Sequence, residues 1–356
     1  MRTGAGKGPI EKGILDTLGQ NRTKGGQKPE KRALDLRGTG SDLLKGNALD
    51  WPKRKQMTSI VALNLVTVAE KKGRSERYIK QYWKAYHCLE EVTTSDHKLY
   101  GIYCKTRICT VCNAIRKAEL ITKYLPIAKT WPDPHFVTLT VPAIKADKLN
   151  RYMQDLMIRG FKEIIEKYRK PSERGTGKKL MGLRSLECCF NPSKQTYNPH
   201  FHVLVPDKET GEILIKEWLI KWRRVKAKRA AQDIRPVEET ERDMSETIKY
   251  GTKMLTDPEA KKFKGKKRDP FIYVSAIDNI LYSMRRKRLV EHFGFKVPKC
   301  TKLRISHKAT NYEYWKFNKE NCDWVSFEDE SNVLCGYRLS SKLRGILANN
   351  INLDLQ

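Results

Sequence analysis

Acidic side chains are scarce in this chain. Its 356 residues include 41 Asp and Glu against 71 Lys and Arg, a formal net charge of +30. A compact chain so unbalanced repels itself unless a polyanion neutralises it, and nucleic acid is the first candidate. Long apolar runs are missing too. The longest uncharged apolar stretch, Met57 to Ala69, has 13 residues, where about 20 are needed to cross a bilayer, so no membrane insertion is expected. No signal-peptide pattern opens the chain, and the expectation is a cytoplasmic, reducing compartment. An even, regularly spaced cysteine set is also lacking. Nine Cys, unevenly spread, argue against a disulfide framework and for metal ligands or buried thiols. Finally, there is no ATPase phosphate loop. That loop needs GxxxxGK, whereas the site at Lys178 reads SERGTGK, with Ser172 where the first Gly belongs, and Lys7 lies too near the start. No ATP-driven motor is therefore expected within the chain.

What is present suffices for a folded protein. Hydrophobic residues make up 39% of the chain, enough for a core, and the length allows one large domain or two ordinary ones. Residues 1–55, rich in Gly, Lys and Arg and without sustained periodicity, read as a basic flexible tail. Residues 56–125 hold the Cys cluster and helices, and 126–295 hold the main domain. Residues 296–356 read as a small separate α+β extension of unknown role.

Within the main domain HFVTLTVP alternates Phe136, Thr138 and Thr140 with Val137, Leu139 and Val141, a strand bounded by prolines. Leu149, Tyr152, Leu156, Met157, Phe161, Ile164, Ile165 and Tyr168 then recur at helical spacing. Residues 183–190 and 200–205 read as an antiparallel hairpin joined by NPSKQTYNP. Helices are expected over about 214–230 and 240–256, with a basic loop at Lys261 to Arg268.

Three constellations carry chemistry. In Asn198-Pro199-His200-Phe201-His202-Val203 the strand period of two puts both imidazoles on one face and Phe201 and Val203 in the core. Ser185, Glu187 and Cys189 share a face of the partner strand. Glu187 is the expected third ligand, since two His, one carboxylate and open positions suit Mn²⁺ or Mg²⁺ at a phosphate. Two polar histidines on a half-buried strand are the plain alternative. On the predicted helix, Glu246, Tyr250 and Lys253 share one face. A Tyr beside a metal-bound phosphate can be a nucleophile, and a carboxylate one turn away can activate water or a hydroxyl. Third, Cys104-x₄-Cys109-x₂-Cys112, with Cys88 upstream, has the spacing of a structural Zn²⁺ site. His87 competes with Cys88 as the fourth ligand, and reduced buried thiols are the alternative to zinc. Cys188 and Cys189 read as strand residues.

The order FVTLTVP, YNPHFHVLV, ETIKYGTK resembles the three motifs of rolling-circle plasmid replication initiators, a branch of the HUH endonucleases. The likeness runs over roughly residues 80–295 and is to the single-tyrosine type: where two-tyrosine members carry a second Tyr, Met254 stands. The resemblance implies an α+β fold with a central antiparallel sheet flanked by helices, preceded by the small Cys-rich zinc-binding segment. It implies that Tyr250 nicks one strand at the double-strand origin and stays on the 5′-phosphate, leaving a 3′-hydroxyl to prime synthesis. Glu246 would direct the water that ends the round, and Lys253 would stabilise charge on the phosphate. RRKRLVEHFGF, residues 285–295, is similar to the stretch closing the family core. The expected partners are origin duplex and single-stranded DNA at the nick site, with a host helicase and DNA polymerase in a bacterial cytoplasm. A transposase or mobilisation relaxase of the same chemistry is the rival enzyme, and a non-enzymatic zinc protein binding DNA or RNA is the rival from another class.

The basic stretches are less specific. Lys221, Arg223, Arg224, Lys226, Lys228 and Arg229, with Lys261, Lys262 and Lys264, are expected to follow a DNA backbone. Trp218 and Trp222, four apart, read more simply as a buried helical face than as stacking platforms for bases.

Overall fold

The computed structural model describes residues 33–35, 50–95, 98–248, 270–298 and 312–337. In chain order the elements are β1 (Ala33–Asp35), α1 (Asp50–Lys71), α2 (Glu76–Tyr86), β2 (Glu91–Ser95), β3 (Lys98–Gly101) and α3 (Thr110–Ala128). There follow β4 (His135–Thr140), α4 (Ala146–Arg151), a π-helical turn (Tyr152–Met157) and α5 (Ile158–Glu173). Then come β5 (Gly182–Asn191), β6 (Thr196–Val205), α6 (Lys208–Lys221), β7 (Asp233–Pro236) and α7 (Thr240–Thr247). The last are α8 (Pro270–Ser283), β8 (Val290–Phe293), β9 (Glu313–Asn318) and β10 (Asp323–Ser326). The result is α+β, with helices on two antiparallel sheets.

The larger sheet runs β7-β4-β6-β5-β8, every pairing antiparallel, so β6 lies at its centre. Its β5–β6 hairpin turns over four residues rather than through the longer loop the sequence suggests. Asn191 Oδ1 accepts from the backbone N–H of Ser193 at 3.0 Å and of Lys194 at 3.1 Å, and this side-chain turn brings the strands back early. Tyr197 to Pro199 are consequently strand, not connection. The β4 ladder ends at Thr140–His200, one residue short of Pro199, which has no N–H to extend it.

Strand alternation divides the two faces. Phe201 and Val203 point into the main core with Phe161 of α5, Trp218 of α6 and Ile280 of α8. Leu204, on the opposite face, joins Leu183, Ile121 and Tyr124 of α3, Met244 of α7 and Ile248. Trp218 is fully buried and donates from Nε1 to the Thr140 carbonyl at 2.8 Å, so the core reading of Trp218 and Trp222 holds. α6 starts at an Asp207 cap whose carboxylate accepts from the Thr210 N–H at 2.7 Å. It ends at Lys221, and two short 3₁₀ turns follow at Arg223–Val225 and Arg229–Ala231. The expected helix to about 230 is therefore corrected to one that stops where Trp222 enters the core.

The smaller sheet runs β1-β3-β2-β9-β10. It departs from the domain boundaries expected from composition. The C-terminal hairpin is no separate piece: β9 pairs with β2 in the register Val92↔Trp315, and Trp324 donates from its indole to the Leu89 carbonyl at 2.8 Å. α1 begins at Asp50, with Trp51 and Lys55 buried, so the folded region starts inside the expected tail. The Cys-rich half also shares a core with the main domain. Asp278 of α8, fully buried, accepts from Lys72 at 3.1 Å, from Arg74 at 3.0 Å and from the Tyr82 hydroxyl at 2.8 Å.

A candidate metal-dependent DNA-processing site

On the central strand, His200 and His202 project from the same face, 4.8 Å apart between ring centroids. Glu187 of β5 stands directly opposite His200. Its Oε2 lies 3.9 Å from His200 Nε2 and 3.6 Å from His202 Nε2. The three ligand atoms fall within one 4.8 Å cluster, so the structure brings together the triad expected from sequence. Cys189 is not part of it. The His200 ring is fixed by Nδ1, 3.0 Å from the Asn198 carbonyl, which leaves Nε2 as the coordinating nitrogen. Burial pushes the His200 imidazole below its ordinary pKa, opposed by that backbone contact, and the neutral form is the one a metal needs. His202 Nδ1 lies 3.4 Å from Thr138 Oγ1. Two imidazoles and a carboxylate with open positions fit a divalent ion that retains room for phosphate oxygens.

Sequence reasoning missed the support beside this triad. Thr140 lies opposite His200 on the neighbouring strand. Gln232, buried, accepts from the Thr140 N–H at 2.7 Å and donates to the Lys228 carbonyl at 2.9 Å. The Thr140 hydroxyl donates to the Ala231 carbonyl at 2.9 Å. The exposed Arg223, Arg224, Lys226, Lys228 and Arg229 are thus carried on a segment tied to the strand end next to the metal ligands. Lys221 instead pairs with Glu163. A glutamine in a polar, turn-rich stretch gives no sequence signal for such an anchor.

Helix α7 carries Glu246, half-buried, and packs against β6 through Met244 and Ile248 on the face that also bears His200 and His202. It is described as far as Ile248. Tyr250, Lys253, Lys261, Lys262 and Lys264 lie outside the described residues, as does the part of the expected helix beyond 248.

The second cluster is made by Cys88, Cys104, Cys109 and Cys112. The Sγ–Sγ distances are 3.7 Å for Cys88–Cys112, 3.6 Å for Cys104–Cys112 and 3.6 Å for Cys88–Cys109. Four sulfurs about 2.3 Å from a tetrahedral Zn²⁺ stand about 3.8 Å apart, so the donor set and its spacing fit that ion. Backbone N–H groups of Cys104, Thr106 and Cys112 point at the sulfurs of Cys88, Cys104 and Cys109, each at 3.4 Å. Cys109 is also the N-cap of α3, so one residue both caps the helix and closes the cluster. His87, the competing ligand, turns away to Glu90 at 2.5 Å and is half exposed. Lys55 is buried nearby. Burial pushes its ammonium below the ordinary range, while Glu90, Cys88 and Cys109 act in the opposite sense.

The described residues thus set a Glu-His-His cluster on the middle strands of an antiparallel sheet with a helix packed on the same face. The chain belongs to the Rep_1 family of replication proteins, whose profile matches residues 97–302. It is 29% identical over 195 residues to a "Protein rep" of Bacillus amyloliquefaciens, covering 50% of this chain and 56% of that one. A "Protein rep" of Staphylococcus aureus is 31% identical over 148 residues, 37% of this chain and 61% of its own. A "Replication protein" of Staphylococcus aureus is 27% identical over 217 residues, 55% of this chain and 79% of its own. The chain spans about half the length of the first of these relatives. No solved structure matches it. Among the described residues no helix is long and apolar enough to cross a membrane.

Proposed function

We propose that this protein initiates rolling-circle replication of a plasmid by nicking one strand at the double-strand origin with Tyr250. The observation that carries the reading is the juxtaposition on β6. The Glu187, His200, His202 cluster occupies the face against which α7 packs, and Tyr250 follows Ile248 by two residues in the sequence. Membership of a replication-protein family supports the same reading.

A divalent Mn²⁺ or Mg²⁺ held by Glu187, His200 and His202 would polarise the scissile phosphate. Tyr250 gives up its phenolic proton and attacks phosphorus. The new bond is Tyr250 O–P, the bond broken is P–O3′, and the leaving 3′-oxygen takes a proton to become the primer hydroxyl. Because the phosphodiester is exchanged and not hydrolysed, its energy is kept for rejoining. Glu246 then takes the proton of the water or 3′-hydroxyl that resolves the phosphotyrosine, and Lys253 lowers the charge on the phosphate. Cys88, Cys104, Cys109 and Cys112 would hold Zn²⁺ in a structural role, because four thiolates leave no open position for chemistry. Arg223, Arg224, Lys226, Lys228 and Arg229 carry DNA phosphates past the triad. Lys261, Lys262 and Lys264 add further cationic groups for DNA phosphates. A host helicase and DNA polymerase, in a bacterial cytoplasm, supply unwinding and synthesis.

The test is incubation of purified protein with supercoiled plasmid and origin oligonucleotides in the presence of Mn²⁺ or Mg²⁺, read on a denaturing gel. A metal-dependent nick with a protein-linked 5′ end, lost in Tyr250→Phe while origin binding persists, is the expected result. Nicking by the Phe variant sinks the assignment of the nucleophile. Glu246→Ala should make the first cut and then accumulate the covalent product.

A further inference from the structure

The smaller sheet has one face in the core and one turned outward. Val92, Leu99, Trp315, Phe317 and Trp324 point inward against the Cys cluster. By strand alternation Thr93, Tyr100, Tyr314 and Lys316 share the other face. The register lines them up: Thr93 of β2 faces both Tyr100 of β3 and Tyr314 of β9. The row continues just past the end of β10, where the Phe327 N–H donates to the Tyr314 carbonyl at 3.1 Å. Two residues before Tyr314, Tyr312 has the same parity and meets Tyr100 edge-on with centroids 6.3 Å apart. Tyr312 is 44% exposed, Tyr314 55% and Phe327 55%.

Large rings standing this far out of a sheet need a reason, because polar side chains normally occupy an outward face. We infer that the outer face formed by Tyr100, Tyr312, Tyr314 and Phe327 is a stacking platform for unpaired bases of single-stranded DNA, separate from the nicking site. Aromatic rings on an open antiparallel sheet present flat faces that any base can stack on, without reading sequence. Neighbouring strands lie about 4.8 Å apart, so rings on β9 and its neighbour sit at a spacing successive bases can follow. Lys316, exposed and on the same face, is placed for a backbone phosphate. Glu91 stands opposite it and exposed Glu328, Asp329 and Glu330 follow Phe327, so the platform contributes stacking and the attraction comes from the chain's +30 charge elsewhere. The inference rests on the DNA-binding part of the reading above and not on its chemistry.

The measurement is fluorescence anisotropy of a labelled oligothymidylate and of a random-sequence duplex, without divalent ion. The full chain is compared with Tyr312→Ala/Tyr314→Ala and with Tyr314→Phe. Losing one stacked base should weaken oligothymidylate binding at least roughly 5-fold, and losing two at least roughly 30-fold, at high as well as low salt. Duplex affinity and the thermal midpoint should stay unchanged, and Tyr314→Phe should bind as wild type. Single-strand affinity within twofold of wild type in the folded double variant overturns the inference. So does photocrosslinking from a bromouracil oligonucleotide that never maps to residues 100 or 312–327. A nick retained in the double variant with binding lost leaves the Tyr250 mechanism standing and supports the platform. A nick absent in wild type, with the platform intact, faults only the mechanism.

Discussion

Glu187 and His200 are a cross-strand pair at the centre of the larger sheet, and the one carboxylate oxygen that faces His200 is closer still to His202. A single carboxylate oxygen therefore faces both imidazoles and would tie two strands to one ion. Glu187→Gln keeps the shape and loses the charge. It should raise the Mn²⁺ concentration for half-maximal nicking at least about 10-fold, the lower bound for losing even an outer-shell partner, with binding followed by calorimetry. Unchanged Mn²⁺ affinity would remove Glu187 from the ligand set.

The Cys cluster should hold one zinc per chain, measured by elemental analysis. Cys112→Ser should lose that zinc and lower the thermal midpoint, because Cys112 meets both Cys88 and Cys104. Strong chelation should do the same to wild type. Full zinc content in Cys88→Ser would restore His87 as a candidate ligand.

Asp278 joins α8 to Lys72, Arg74 and Tyr82. Asp278→Ala leaves two cations facing a hole and should cost about 3 kcal/mol in urea unfolding, discounted from larger values because Lys72 is partly exposed. A loss under about 0.5 kcal/mol would mean the two halves do not depend on this contact.

Gly294 has φ +74°, and a Cβ there would come within 2.0 Å of the Leu180 carbonyl oxygen. Gly294→Ala should destabilise by about 1–3 kcal/mol, since backbone meets backbone and neither can swing aside. A thermal midpoint equal to wild type would contradict that packing.

Arg223 and Arg224 are exposed beside the segment anchored on Thr140. Replacing both by Ala should lower the salt-dependence slope of single-strand binding by about 1.4, two contacts at about 0.7 each. An identical slope would take these two arginines off the DNA path.

Local periodicity made much of the site legible. A period of two placed His200 and His202 together, and the spacing of Cys104, Cys109 and Cys112 made a closed cluster plausible without any tertiary information. The structure chose Cys88 over His87 because His87 falls at the C-cap of α2 and turns out toward Glu90, a choice that spacing alone leaves open. Pairings between distant segments were not legible. Nothing in EYWKFN or DWVS names β2 as a partner, and Gln232 and Asp278 act through neighbours 92 and 206 residues away. The helix expected to about 230 is shorter because a basic tail as helix-prone as the turns before it gives no stop signal, whereas the chain leaves the helix at buried Trp222 and turns left-handed at Lys226.

The C-terminal hairpin has a consequence during synthesis. Thr94 and Glu313, hydrogen-bonded at 3.0 Å, are separated by 219 residues, which at ribosomal speeds is on the order of tens of seconds. Until that hairpin has been translated, the edge of β2 is open and the four thiols lack Phe317 and Trp324 as cover. A metal ion reaching the nascent chain in that interval would meet the four thiols without that cover.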